Sequence, residues 1–491
     1  MEDRPVKIPS PLLSFVPIIV LVGLLFFTIR IFGSGTLDGA SQIVLLAATA
    51  VCVLIAMSCC RIRWKTIEAA IVQNITSVTV ALLILLLIGA LSGSWMVSGI
   101  IPTMIYYGVQ IIRPDIFLVS TCLICILVSV MTGSSWTTIA TIGIALYGIG
   151  KVQGFGDGWI AGAIISGAYF GDKVSPLSDT TVLASSVTET PLFKHIQYMM
   201  ITTVPSIVIT LGIFLFAGFM HHTVSSESIL GFTQRLDATY RISLWLLIVP
   251  VVMGVLIARR TPALVTLFVS AALAGVFALF FQPNLLRGIA ETETGGAASL
   301  FEGLLRTFYG GTAVETGDET LNELVKTRGM AGMMNTIWLI ICAMCFGGAM
   351  TASNMLASIT SVFLRFMKRT VGLVGSTVFS GIFLNICTAD QYLSIILTGN
   401  MFKHIYKHKG YESRLLSRTL EDGVTVTSPL VPWNTCGMTQ SAVLGVSTFT
   451  YLPYCFFNII SPLMSILVAM TGYKIIKKIK SDEENQDLAA R

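Results

Sequence analysis

The sequence predicts an all-α polytopic membrane protein of two inverted repeats, each with a re-entrant hairpin and a broken transmembrane helix. Three observations carry this. The 491 residues are 54% hydrophobic and only 12% charged, about half the charge of a soluble chain. Apolar runs of about twenty residues, enough to cross lipid, recur along the chain. Two of the runs are interrupted by the same triplet, Ser175-Pro176-Leu177 and Ser428-Pro429-Leu430.

The polar start, to Ser10, precedes a run at 12–31. That run is too long for a signal-peptide core and no small-residue cleavage site follows, so it reads as a retained helix. A second span covers 40–58. The basic loop Arg61-Ile62-Arg63-Trp64-Lys65 belongs in the cytoplasm by the positive-inside rule, and the N-terminus with it. A third span, 66–91, crosses outward; 95–112, with Pro102 and two Tyr, reads as tilted or interfacial. Runs 116–131 and 137–149 are each short for a span and are joined by Thr132-Gly133-Ser134-Ser135-Trp136. Their flanks are nearly charge-balanced, so they read as a hairpin entering from outside; two ordinary short spans are the alternative. A broken helix at 159–187 then goes inward, 198–219 returns, and 221–241 is an external loop.

The second half repeats the plan. Span 242–257 ends at Arg259-Arg260, and 262–281 returns. The stretch 282–328 carries Glu291, Glu293, Glu315, Asp318, Glu319 and Glu323 and reads as an acidic external segment with a short helix at 299–308. Span 332–351 goes in, and 355–367 is interfacial. Runs 371–387 and 391–402 flank a polar tip, Thr388-Ala389-Asp390. Arg365, Lys368 and Arg369 stand before this pair, and Lys403, Lys407, Lys409 and Arg414 after it. A single span cannot keep both basic flanks inside; a hairpin can. The second broken helix is 415–445, interrupted from Thr427 to Thr435, and 453–471 ends inside at a run of Lys. The count is ten spans and two hairpins, five spans and one hairpin per half. Five is odd, so the halves are oppositely oriented, the plan of secondary transporters whose site lies where interrupted segments meet. The chain thus divides into a first repeat at 1–220, a connecting loop at 221–241, a second repeat at 242–473 and a polar cytoplasmic tail at 474–491.

Function is sought at the interruptions. Each charge at membrane depth costs roughly 3 kcal/mol, so such groups face a cavity or one another. Asp172, Lys173 and Asp179 surround Pro176, which removes a backbone donor and clashes with the preceding turn. The bland reading is a polar loop between interfacial segments. The site reading is a broken helix whose freed backbone groups line a polar pocket. Oxygen-bearing side chains cluster at the breaks: Ser134, Ser135 and Thr137 at the first tip, and Ser175, Ser178 and Thr180 at the first break. Asn385, Thr388 and Asp390 stand at the second tip, with Ser428, Asn434 and Thr435 at the second break. Such hydroxyls often only bond the preceding turn, but here they are concentrated at interruptions. A small cation needs oxygen ligands and a carboxylate that can hold either it or a proton. Asp172, Asp179 and Asp390 are the candidates to hold a metal cation. Lys173 is expected to pair with Asp172, leaving Asp179 to exchange; a purely structural Lys–Asp pair is the alternative. Glu421 and Asp422 read as an entrance or a solvated helix end, and His195 as an ordinary interfacial residue.

Other classes are excluded or weak. No HExxH or GxSxG motif and no nucleophile–base pair is present, so no enzyme is expected. No basic patch suggests nucleic acid. The pairs Cys122/Cys125 and Cys342/Cys345 lie in apolar runs without His nearby and read as small packing residues, not a metal or redox site. The expected partners are the lipid bilayer and small cations, and a homodimer is compatible with this plan.

Two stretches carry a family resemblance: Gly167-Ala168-Tyr169-Phe170-Gly171-Asp172-Lys173-Val174-Ser175-Pro176-Leu177-Ser178-Asp179-Thr180-Thr181, and Thr132-Gly133-Ser134-Ser135-Trp136-Thr137. Both resemble the NhaC family of sodium/proton antiporters, and the resemblance runs over nearly the whole chain. It implies sodium/proton exchange and pH homeostasis in the inner or plasma membrane, with sodium and protons as the transported species and no cofactor. Relatives in that family include malate/lactate exchangers, so sodium- or proton-coupled exchange of an organic acid is the second expectation. The absence of an Arg from the expected core speaks against it.

Overall fold

The computed structural model describes residues 9–32, 39–220, 226–291, 296–317, 319–363 and 369–476. The polar start up to residue 8, the His pair at 221–222 and the tail from 477 lie outside them. The regular structure of the described residues is helical. Among the described residues, eight helices are long and apolar enough to cross a membrane, and ten if each of two bent pairs counts as one span. The bent pairs are Leu230–Thr239 with Leu244–Ala258, at 85°, and Thr448–Tyr454 with Phe456–Thr471, at 55°.

Three expectations are adjusted. The leading arms of the hairpins, Pro114–Thr132 and Thr370–Thr388, are 19 residues each and long enough to span, because helix continues into the polar tip. The segment read as a loop at 221–241 holds the helix Ser226–Thr239. Phe232 and Leu236 on that helix, and Tyr240 just past its end, recur every fourth residue and are buried, a helical face diluted by polar neighbours. The third span is interrupted at Val78, between Trp64–Ser77 and Thr79–Val97. The Ser77 hydroxyl donates to the Asn74 carbonyl at 2.6 Å, and the Val78 N–H turns to Ile75. That side-chain competition with the backbone ladder accompanies the interruption.

The first hairpin arm Phe117–Thr132 packs closely on the first broken helix, Asp157–Val174. Gly167 and Gly171, four apart, make the approach: a Cβ on Gly167 would lie 2.3 Å from the Cys122 carbonyl oxygen, and one on Gly171 would lie 2.5 Å from Ser129 Cβ. Small residues at this spacing let membrane helices touch backbone to backbone. The Ser129 hydroxyl crosses the contact to the Ala168 carbonyl at 2.6 Å. All ten cysteines are free thiols.

Candidate ion-binding site

Four helices begin inside the fold, one after each interruption: Ser135–Thr138, Asp179–Val187, Gln391–His408 and Thr435–Leu444. A helix start leaves backbone N–H groups without partners, and each is capped by a side chain. Ser134 accepts from the Thr137 N–H at 3.2 Å, Ser178 from Thr181 at 3.5 Å, Asp390 from Leu393 at 2.8 Å and Asn434 from Cys436 at 3.0 Å.

The two hairpin tips have the same internal wiring. Gly133 and Ala389 both take left-handed backbone, with φ of 66° and 57°. Thr132 and Thr388 each close the turn over it. The Ser134 N–H donates to Thr132 Oγ1 at 3.2 Å, and the Asp390 N–H to Thr388 Oγ1 at 3.3 Å. Thr132 meets the Thr138 hydroxyl at 3.2 Å, and Thr388 meets that of Ser394 at 2.8 Å. At the structurally matching position, the first tip carries Ser134 and the second Asp390.

The second broken helix passes from Ser413–Leu420 into a wide turn at Glu421–Thr425 and a tight one at Ser428–Leu430. The carbonyls freed there are taken by side-chain amides. Asn385 Nδ2 donates to the Val424 carbonyl at 2.7 Å, Gln391 Nε2 to Thr425 at 3.5 Å and Asn458 Nδ2 to Val426 at 2.7 Å. Irregular backbone is tolerated in a membrane only when satisfied in this way.

A cavity of about 630 Å³ lies where the tips and breaks meet. Of the side chains expected at the site, Ser134, Thr137, Asp172, Asp179, Thr180, Asp390 and Thr435 line it. Asp179 is exposed and Asp172 is buried. Asp172 Oδ2 accepts from the Ser135 N–H at 3.1 Å and the Ser135 hydroxyl at 2.7 Å. Thr435 Oγ1 donates to Asp390 Oδ2 at 3.4 Å, tying the second break to the second tip. Arg260 also lines the cavity, on a loop that reads as membrane surface from its sequence.

The other expected residues hold the frame. The Ser175 hydroxyl donates to the Val130 carbonyl at 2.8 Å, and that of Ser428 to Thr425 at 2.8 Å. Ser178 is bonded to Thr180 at 2.9 Å. Asn434 Nδ2 donates to the Asn385 carbonyl at 3.1 Å. Thr388 is spent on its tip.

Lys173 does not pair with Asp172 as expected. Neighbours on a helix point about 100° apart, and Lys173 turns instead to the other broken helix. Its ammonium forms a fully buried ion pair with Asp422 and donates to Ser461 at 3.0 Å. Thr202 and Ser461 add donors to the same Asp422 oxygen at 3.1 and 2.9 Å. Glu421 and Arg418 are also fully buried, so the stretch read as a solvated end is interior. On the surface, Lys403 lies 2.7 Å from Glu189 and holds its carboxyl below the usual glutamate range.

The Na+/H+ antiporter family model matches residues 167–473, which contain the first break, the second tip and the second break. The chain belongs to the Na+/H+ antiporter family. It is 36% identical to the Na+/H+ antiporter NhaC of Alkalihalophilus pseudofirmus, over 85% of this chain and 87% of that one. It is also 36% identical to the malate-2H+/Na+-lactate antiporter of Bacillus subtilis, over 83% and 85%. The arginine/ornithine antiporter ArcD of Halobacterium salinarum is 34% identical over 87% and 86%. Family membership and the apolar helices make this antiporter-family chain a multi-pass membrane protein.

Proposed function

We infer that the chain is a secondary transporter that exchanges sodium for protons by alternating access. One observation carries the reading: three carboxylates, Asp172, Asp179 and Asp390, share one cavity with hydroxyls from the first hairpin tip and from both helix breaks. Sodium takes oxygen ligands of this kind. Sodium and a proton compete there for the same negative charge. Four capped helix starts fix the backbone around the cavity, so little reorganisation is needed when the ion enters. The two tips, alike in wiring, belong to two repeats of opposite orientation. Both termini lie in the cytoplasm of a cell whose plasma or inner membrane the chain spans.

A second reading has one observation behind it. Arg260 lines the same cavity, whose 630 Å³ suits a small organic molecule. An Arg among hydroxyls would recognise the carboxylate of an organic acid, and a malate/lactate exchanger is among the relatives. Proteoliposomes with an imposed pH gradient and an entrapped dye separate the two. Addition of sodium alone should collapse the gradient, with lithium and potassium tested beside it. A response only when malate or lactate is supplied with the cation would replace sodium/proton exchange by organic-acid exchange.

A further inference from the structure

We propose that Arg260 is a specificity-determining residue of the cation cavity: its fixed positive charge keeps divalent cations out while sodium and protons are admitted. This rests on the exchange reading above and adds which cations the cavity refuses.

The cavity's own chemistry raises the problem. Among the described residues, its charged lining is Asp172, Asp179, Asp390 and Arg260. Lys173, Arg418, Glu421 and Asp422, fully buried outside that lining, bring two charges of each sign and cancel. Three carboxylates with hydroxyls beside them are the ligand set of a hard divalent ion such as calcium. Attraction to the same carboxylates grows with ionic charge, so a calcium ion held there would displace sodium. Size gives no protection. The cavity, at about 630 Å³, is far wider than either bare ion.

Arg260 is placed to answer it. It lines the cavity and, among the described residues, enters no ion pair, so no fixed partner cancels its charge. A guanidinium stays charged at every working pH. The backbone adds an independent observation. Arg260 follows the helix Ile248–Ala258 with a left-handed φ of 59°. Its N–H bonds the Ile257 carbonyl at 2.8 Å, and the Thr261 N–H bonds the Leu256 carbonyl at 3.1 Å. That double closure most often takes glycine, and a side chain there is disfavoured. The turn therefore gives no reason for an Arg; the cavity it borders does. Repulsion by a fixed charge scales with the charge of the incoming ion. Whatever factor Arg260 removes from sodium affinity, it removes the square of that factor from calcium affinity. A proton carries the same single charge as sodium, so the competition of the two at the carboxylates is left as it was.

The test measures sodium and calcium binding by calorimetry. It uses the purified full-length protein in detergent, at low ionic strength and about pH 9, where protons compete least. Arg260→Gln should raise sodium affinity about fivefold and calcium affinity about 25-fold. Arg260→Lys keeps the charge and should stay within about twofold of wild type for both ions. Arg259→Gln removes a neighbouring charge that does not line the cavity and should also stay near wild type. A calcium gain in Arg260→Gln no larger than its sodium gain overturns the proposal and leaves the exchange reading standing. So does an equal calcium gain in Arg260→Lys or Arg259→Gln, and so does wild-type protein from which calcium at equal concentration displaces sodium. Wild-type protein that binds no sodium removes both. Should Arg260→Gln fail to fold, Arg260→Gly removes the same charge from a backbone that suits glycine, and the same ratio of gains decides.

Discussion

Ser135 donates twice to one oxygen of Asp172, through its backbone N–H at 3.1 Å and its hydroxyl at 2.7 Å. The first hairpin tip and the first break are therefore joined at the carboxylate itself. Each bond to an ionised group is worth about 1.5–3 kcal/mol. Ser135→Ala removes one and leaves the other. Protons then compete better with sodium for Asp172, so the exchange profile should move to higher pH and apparent sodium affinity should fall about tenfold. Dye-based exchange measured across a pH series checks the shift; a profile unmoved by Ser135→Ala would mean that Asp172 is off the ion path.

Asp390 is at the matching position of the second tip and borders the same cavity. Asp390→Asn keeps an acceptor for the Leu393 N–H, so the cap survives while the charge is lost. Transport at low sodium should fall and recover at high sodium. Unchanged transport at low sodium would confine Asp390 to capping.

The Lys173–Asp422 pair gives a stability prediction. Asp422→Asn or Lys173→Met leaves one buried charge without its partner, at a cost of about 3–5 kcal/mol. The double substitution removes both charges and should recover much of the loss. Melting in detergent, followed by size-exclusion fluorescence, reads the difference. Additive losses in the double variant would contradict the pairing.

Close packing at Gly171 is tested by Gly171→Ala. Its Cβ would fall 2.5 Å from Ser129 Cβ and 2.7 Å from the Ile126 carbonyl oxygen, an overpacking cost of about 1–3 kcal/mol. Gly212→Ala, where nothing lies within 4 Å, is the control and should melt no lower than wild type.

Glu189 supplies a pH control. Its carboxyl is held down by Lys403, so whatever the exposed pair contributes is present above the ordinary glutamate range and is lost only as pH falls below it. Glu189→Gln should leave the exchange profile unchanged above about pH 5. A displaced profile in the neutral range would make this surface pair part of the proton path.

What the sequence made legible follows from contrast. Asp172, Asp179 and Asp390 stand out because a charge in an apolar run has few bland explanations. The polar tips stand out for the same reason. The partner of Lys173 was hidden because Asp422 is 249 positions away, and no local spacing chooses between it and the adjacent Asp172. Glu421 and Asp422 follow the basic Lys403–Arg414 flank, so on the sequence they look like a solvated end; burial among the surrounding helices reverses that. Arg260 was hidden because a short interhelical loop reads as surface. Gln391 and Asn458 gave no signal, since an amide that holds a freed carbonyl looks like any polar residue until the break is folded.

Those amides have a consequence for a member of the Na+/H+ antiporter family, whose surroundings change in proton concentration. Asn385, Gln391 and Asn458 neither gain nor lose a proton at any physiological pH. The clamp on the carbonyls of residues 424–426 is therefore indifferent to pH. Lys or His in the same places could also donate, but their grip would vary with their own titration. With amides, the scaffold stays constant across acid and alkaline conditions, and the response to protons is confined to the groups that bind them.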